Sequence, residues 1–102
     1  MIELRRGTLV LSVLSQLNEP EYGYSLVKKL ESKNMSIEAG TLYPLLRRLE
    51  KQKILTSEWD TNENRPRKFY VLNTEGRLVY TQLKIEWTKM SEQLKLLIRE
   101  DD

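Results

Sequence analysis

The last third of the chain carries an apolar repeat that a small domain cannot satisfy on its own. Tyr80, Leu83, Trp87, Met90, Leu94 and Leu97 step by 3, 4, 3, 4 and 3 positions, the a/d seam of a helix that packs along another helix. The pattern predicts one helix over Thr74–Arg99, capped by Asn73 or Thr74. Those 26 residues make roughly 39 Å of helix, far longer than any core that residues 1–73 can form. Leu96 and Ile98 widen the seam near its end. An apolar stripe that outruns its own core is buried against another chain, so the seam predicts a homodimer.

Ahead of that helix the apolar period changes twice. A first helix is expected over Leu4–Leu17, with Leu9, Val10, Leu11, Val13, Leu14 and Leu17 on a wide apolar face. "NEPEYGY" breaks it, and a second helix follows from about Tyr22 to Lys33, with Leu26, Val27 and Leu30 inward. A third starts near Ser36 as N-cap, places Glu38 in its first turn and ends around Lys51. The period then falls from 3.6 to 2: "ILTSEWD" and "RKFYVLN" read as strands joined by the polar loop "TNENRP". In the second strand Tyr70 and Leu72 are expected inward, with Phe69 and Val71 on the opposite face.

The fold expected is therefore mostly α with a small β-hairpin. Residues 1–73 form a winged helix-turn-helix, and 74–102 form a C-terminal dimerisation helix. In that arrangement the third helix enters the DNA major groove and the hairpin loop, the wing, lies along the phosphate backbone. A fold does not fix a function, so the site residues must carry the case.

Composition narrows the function classes. The chain has no cysteine and no histidine, which removes disulfides, Cys/His zinc sites and His-based acid–base pairs. Its carboxylates converge in no catalytic motif, and phosphate-loop and dinucleotide fingerprints are absent from the sequence. The expectation is a non-enzyme without metal or cofactor. "LVLSVLSQL" is too short and interrupted to span a membrane, and "MIELRRG" lacks the apolar core of a signal peptide, so a cytoplasmic protein is expected. The net charge is only +2, but it is unevenly spread. From Glu38 to Leu72 seven basic residues face five acidic ones; from Asn73 onward five face six.

The third helix holds the informative face. At about 100° per residue, Leu42, Leu45, Leu46 and Leu49 gather on one side. Gly40, Pro44, Arg47 and Lys51 lie opposite, flanked by Tyr43 and Arg48. Pro44 removes the donor that the Gly40 carbonyl would accept from. Together with side-chain-free Gly40 it leaves the N-terminal half of the helix bare enough to approach a groove wall. Arg47 and Lys51 then reach phosphates, and Tyr43 reaches a phosphate or a base edge. If the helix instead starts at Thr41, Pro44 falls in a first turn, where proline is tolerated for purely local reasons. The wing is equally double-edged: Arg65, Arg67 and Lys68 suit phosphates, whereas Asp60 and Glu63 repel them.

"GTLYPLLRRLE" at Gly40–Glu50 resembles the recognition-helix signature of the PadR family of bacterial transcriptional regulators. "YGYSLVKKLE" at Tyr22–Glu31 and "RPRKFYVLNTEGR" at Arg65–Arg77 agree in order and spacing, so the resemblance covers nearly the whole chain. It implies a winged-helix DNA-binding protein, usually a repressor, acting as a dimer on a two-fold symmetric operator in double-stranded DNA. By that resemblance Thr41 and Tyr43 contact DNA, with Arg47, Arg65, Arg67 and Lys68 on the backbone. It further implies a small subfamily with a single dimerisation helix, in some of whose members a tryptophan at the place of Trp87 lines a cavity for planar aromatic effectors. Trp87 read from its spacing alone is a seam residue. Lys53 departs from the pattern, since glycine often stands at that position, and a lysine there must adopt a left-handed backbone or end the helix differently. The rival reading is a winged-helix dimer that binds proteins and not DNA. Arg47 and Lys51 argue against it, because protein interfaces favour aromatic or aliphatic anchors at such a face.

Overall fold

The computed structural model describes residues 2–62 and 64–99. The elements run α1 (Ile2–Ser15), β1 (Glu21–Tyr22), α2 (Gly23–Ser32), α3 (Ala39–Lys51), β2 (Leu55–Asp60), β3 (Arg67–Leu72) and α4 (Thr74–Arg99). The hairpin and the long last helix match the expected boundaries closely. The sheet, however, has three antiparallel strands in the order β1-β3-β2. Tyr22, expected to open α2, is extended instead and pairs with Phe69, while Glu21 pairs with Tyr70. A two-residue strand between Pro20 and Gly23 leaves no periodic signal of its own.

The core is aliphatic. Leu42, Leu45, Leu46 and Leu49 of α3 are all buried, as are Tyr70 and Leu72 of β3, while Phe69 and Val71 are half-exposed on the other face. Leu17 is fully buried although α1 ends at Ser15. Its carbonyl accepts the Leu72 N–H at 2.9 Å, which ties the exit of α1 to β3. The third helix begins at Ala39 with Glu38 as its N-cap, and Ser36 lies before it, contrary to expectation. The reason is packing: Met35 and Ile37 are half-buried against the core while Ser36 and Glu38 point to solvent. Residues 35–38 thus follow a period of two, and the helix starts only once both apolar side chains are seated.

Both α2 and α3 end in the same six-residue closure. Asn34 and Lys53 take left-handed φ values of 64° and 66°. The N–H groups of Met35 and Ile54 return to the carbonyls of Leu30 and Leu49, and those of Asn34 and Lys53 return to Glu31 and Glu50. So Lys53 does adopt the left-handed backbone, at a cost of about 1 kcal/mol for a residue with a Cβ.

That turn meets the start of α4 directly. Of the two capping residues expected, Asn73 is the cap: its Oδ1 accepts the Gly76 N–H at 2.7 Å. Its Nδ2 donates to the Lys53 carbonyl at 2.7 Å, and its backbone N–H reaches the Ile54 carbonyl at 3.3 Å. Gly76 is buried there, and a Cβ added to it would stand 2.0 Å from the Ile54 oxygen.

Along α4, Val79, Tyr80 and Leu83 pack on the core. Beyond them the seam is bare: Trp87, Met90, Leu94 and Leu97 are 48%, 56%, 50% and 66% exposed. Leu96 does not widen this seam. At the helical period it falls on the opposite side with Leu78 and Ile85, all three exposed. The molecule measures 60 × 26 × 20 Å with a radius of gyration of 15.8 Å, against about 13 Å for a compact chain of this size. The excess is the free half of α4.

Candidate nucleic-acid interface

The outward face of α3 is open along its length. Gly40, Thr41, Pro44, Arg47 and Lys51 are all exposed. The space where a Gly40 side chain would stand is empty, with nothing within 4 Å. In the first turn both Thr41 and Leu42 donate to the Glu38 carbonyl at 2.9 Å. Counting from Ala39, Pro44 is the sixth residue of the helix, beyond the first turn in which proline costs nothing. It therefore deletes an interior N–H, the one that would have bonded the Gly40 carbonyl. Of the two readings left open by the sequence, the local one loses its basis.

Tyr43 is half-buried, its ring laid over Gly23 at the start of α2. A Cβ at Gly23 would meet the ring's Cε1 at 2.5 Å, so the close approach of α2 and α3 requires a glycine there. Tyr43 thus borders the face with its ring against the start of α2.

The wing cations differ in their placement. Arg65 is exposed. Lys68 is half-buried and paired with Glu50 of α3 at 3.2 Å. Glu50 also accepts the Ser57 hydroxyl, and that bond first, with Lys68 adding to it, holds its carboxyl below the usual range. Arg67 folds back onto α2: its guanidinium carbon lies 4.3 Å from the centre of the Tyr22 ring, and its Nη1 donates to the Tyr24 hydroxyl at 2.7 Å. Asp60, which the sequence suggests as a repulsive charge, is turned to a structural use. It accepts the Tyr22 hydroxyl and the Asn62 N–H, and these bonds, with the charge of Arg67, lower its pKa. Tyr22 is correspondingly raised, chiefly because its proton is held by Asp60. Glu63 lies outside the described residues.

Sequence reasoning missed Tyr22 and Tyr24, which stack on each other 5.9 Å apart and anchor the base of the wing. Their signals were two tyrosines flanking Gly23 and their place in the segment "YGYSLVKKLE". Trp59 was also missed; it stands opposite Lys68 in the hairpin, 62% exposed. Between α2, α3 and β3 lies an open cavity of about 270 Å³ whose walls include Tyr22, Tyr24, Tyr43, Arg47, Arg67 and Lys68. Among the described residues no helix is long and apolar enough to cross a membrane.

Comparison with known proteins places this geometry. The crystal structure of a PadR family transcriptional regulator from Eggerthella lenta DSM 2243 superimposes with a TM-score of 0.89 at 50% identity, over 95% of this chain and 87% of that one. Transcriptional regulator Rv3488 of Mycobacterium tuberculosis is 32% identical over 80% of this chain and 78% of its own length. Bacillus subtilis PadR in complex with operator DNA shares the fold, with a TM-score of 0.70 at 19% identity over 76% of this chain and 46% of that one. Residues 10–82 match the transcriptional regulator PadR-like family. The fold is thus that of a family of transcriptional regulators, not enzymes, and the chain belongs to the PadR-like family.

Proposed function

We propose that the chain is a cytoplasmic, dimeric, sequence-specific DNA-binding repressor. Residues 1–73 act as its reading head and residues 74–102 as its dimerisation helix. The observation that carries this is the outward face of α3, where a bare Gly40, an interior Pro44 and exposed Thr41, Arg47 and Lys51 occupy one side of a helix whose other side is wholly buried. Such a face fits a groove: its backbone comes close, and its cations reach phosphates on either side. Tyr43 borders it, and Arg65 at the wing tip, with Arg67 and Lys68 behind it, extends it towards the backbone. Bacillus subtilis PadR, which shares the fold, is in complex with operator DNA in its crystal structure, and this supports DNA as the partner. Repression by occlusion is the simplest action for a chain with a DNA-reading face and a dimer helix.

Dimerisation is supported by surface. The chain exposes 7899 Å² at 12.1 kDa, where a folded monomer of that mass exposes about 6,000 Å². Pairing through Tyr80, Leu83, Trp87, Met90, Leu94 and Leu97 would cover the apolar part of the excess and bring two α3 helices to a two-fold operator.

Arg47→Ala is expected to weaken binding to every duplex by a similar factor. It should also flatten the dependence of log affinity on log salt by about one unit. A variant with an unchanged salt slope would remove Arg47 from the backbone contacts. Wild-type binding without any sequence preference would leave a protein-interaction module. A planar aromatic effector stacking on half-exposed Trp87 completes the proposal, releasing DNA by changing the distance between the two reading heads. In a Trp59→Phe background, a planar dye should quench Trp87 fluorescence and compete with DNA; a dye that does neither removes the effector site.

A further inference from the structure

We propose that the cavity between α2, α3 and β3 seats one backbone phosphate of bound DNA, with the Tyr24 hydroxyl as its directed donor. The proposal rests on the DNA-binding reading above and adds a site to it. At about 270 Å³ and open to solvent, the cavity falls below the 300–1,000 Å³ or so of pockets that enclose whole small molecules. It has room for one group of a larger ligand. Arg47, Arg67 and Lys68 reach it, and no carboxylate among the described residues lines it, so the group is an anion. Its position between the reading face of α3 and the base of the wing is the strip that a DNA strand follows in this arrangement.

The hydrogen bonds single out one hydroxyl of the wall that a cation aims and polarises. The Tyr22 proton is given to Asp60, and the Lys68 ammonium is paired with Glu50. The Tyr24 oxygen instead accepts from Arg67 at 2.7 Å. A tyrosine hydroxyl that accepts from a guanidinium keeps its own proton to donate, and the cation polarises that O–H further. Tyr24 is 45% exposed, so the proton is accessible. Arg47 on the facing helix supplies the charge.

The test uses the full chain and its Tyr24→Phe variant, which keeps the ring and its stack on Tyr22. Both are titrated with a duplex selected by the wild type from a random pool, and with versions carrying one neutral methylphosphonate at each position in turn. The variant is expected to unfold at the wild-type denaturant midpoint and to bind about tenfold more weakly. Its salt slope should be unchanged, because tyrosine carries no charge. One methylphosphonate position per half-site should cost the wild type affinity but cost the variant little. Wild-type affinity in the variant, or every methylphosphonate costing both proteins equally, overturns the seat while leaving the regulator reading intact; the second of these results would also follow if the cavity served a free anion. A wild type that selects no duplex overturns both.

Discussion

Gly76→Ala is expected to destabilise the protein by about 2–4 kcal/mol, even though the change adds a better helix former to a helix. Replacing glycine by alanine inside a helix ordinarily gains up to about 1 kcal/mol. Here the new Cβ would stand 2.0 Å from the Ile54 carbonyl oxygen and 3.0 Å from its carbon. Those are backbone atoms in the turn that closes α3, fixed by the bonds of Ile54 to Leu49 and of Asn73 to Lys53 and Ile54. They cannot rotate aside as a side chain can, so α4 must lift off, and overpacking of this kind outweighs the propensity gain. Urea unfolding followed by circular dichroism checks it, as a lower midpoint at similar slope. A wild-type midpoint would mean that the close contact between α3's exit and α4's first turn does not govern stability. The first turn of the proposed dimer helix thus rests on the turn that follows the proposed reading helix.

Leu94→Glu is expected to convert the proposed dimer to monomers at micromolar concentration and to lower affinity for a two-fold operator at least about 100-fold. Leu94 is half-exposed within one protomer, so the variant should keep its fold and its unfolding signal from the core. What it loses is burial of the seam, where a charge on each copy would face apolar partners. Without the dimer the second reading head no longer binds as a tethered neighbour, and that tethering is typically worth 10²–10⁴ in affinity. Light scattering and anisotropy titration on the same samples check both effects. A variant that remains dimeric would place the interface elsewhere, with the opposite line of Leu78, Ile85 and Leu96 as the next surface to alter.

What the chain shows about itself before folding depends on the range of each interaction. The buried faces of α3 and β3 were legible because Leu42, Leu45, Leu46, Leu49, Tyr70 and Leu72 repeat within one element, at its own period. On α4 the period likewise placed Trp87, Met90, Leu94 and Leu97 on one line of the helix, exposed in this chain, but not Leu96, which is next to that line in sequence and opposite it in space. The open face of α3 was legible for the same reason. The pairing of the wing's charges was not. Arg67 meets Tyr24 across 43 positions and Tyr22 meets Asp60 across 38, and no local pattern encodes such contacts. Lys68 and Glu50 likewise come together only when β3 is laid beside α3. So Arg67 and Lys68 could be counted as wing cations from the sequence, but not that each is braced by a neighbour. The start of α3 failed differently: Ser36 is a good cap in isolation, and the burial of Met35 and Ile37 overrode it.

The central claim is that two α3 faces, carried by one dimer, read DNA. Selection of binding duplexes from a random pool tests it most directly, because the shape of the consensus reports both halves of the claim at once. The account predicts a two-fold symmetric consensus whose half-sites lie about one helical turn, or a whole number of turns, apart. A pool that yields no consensus, or a single half-site without a symmetric mate, would contradict it.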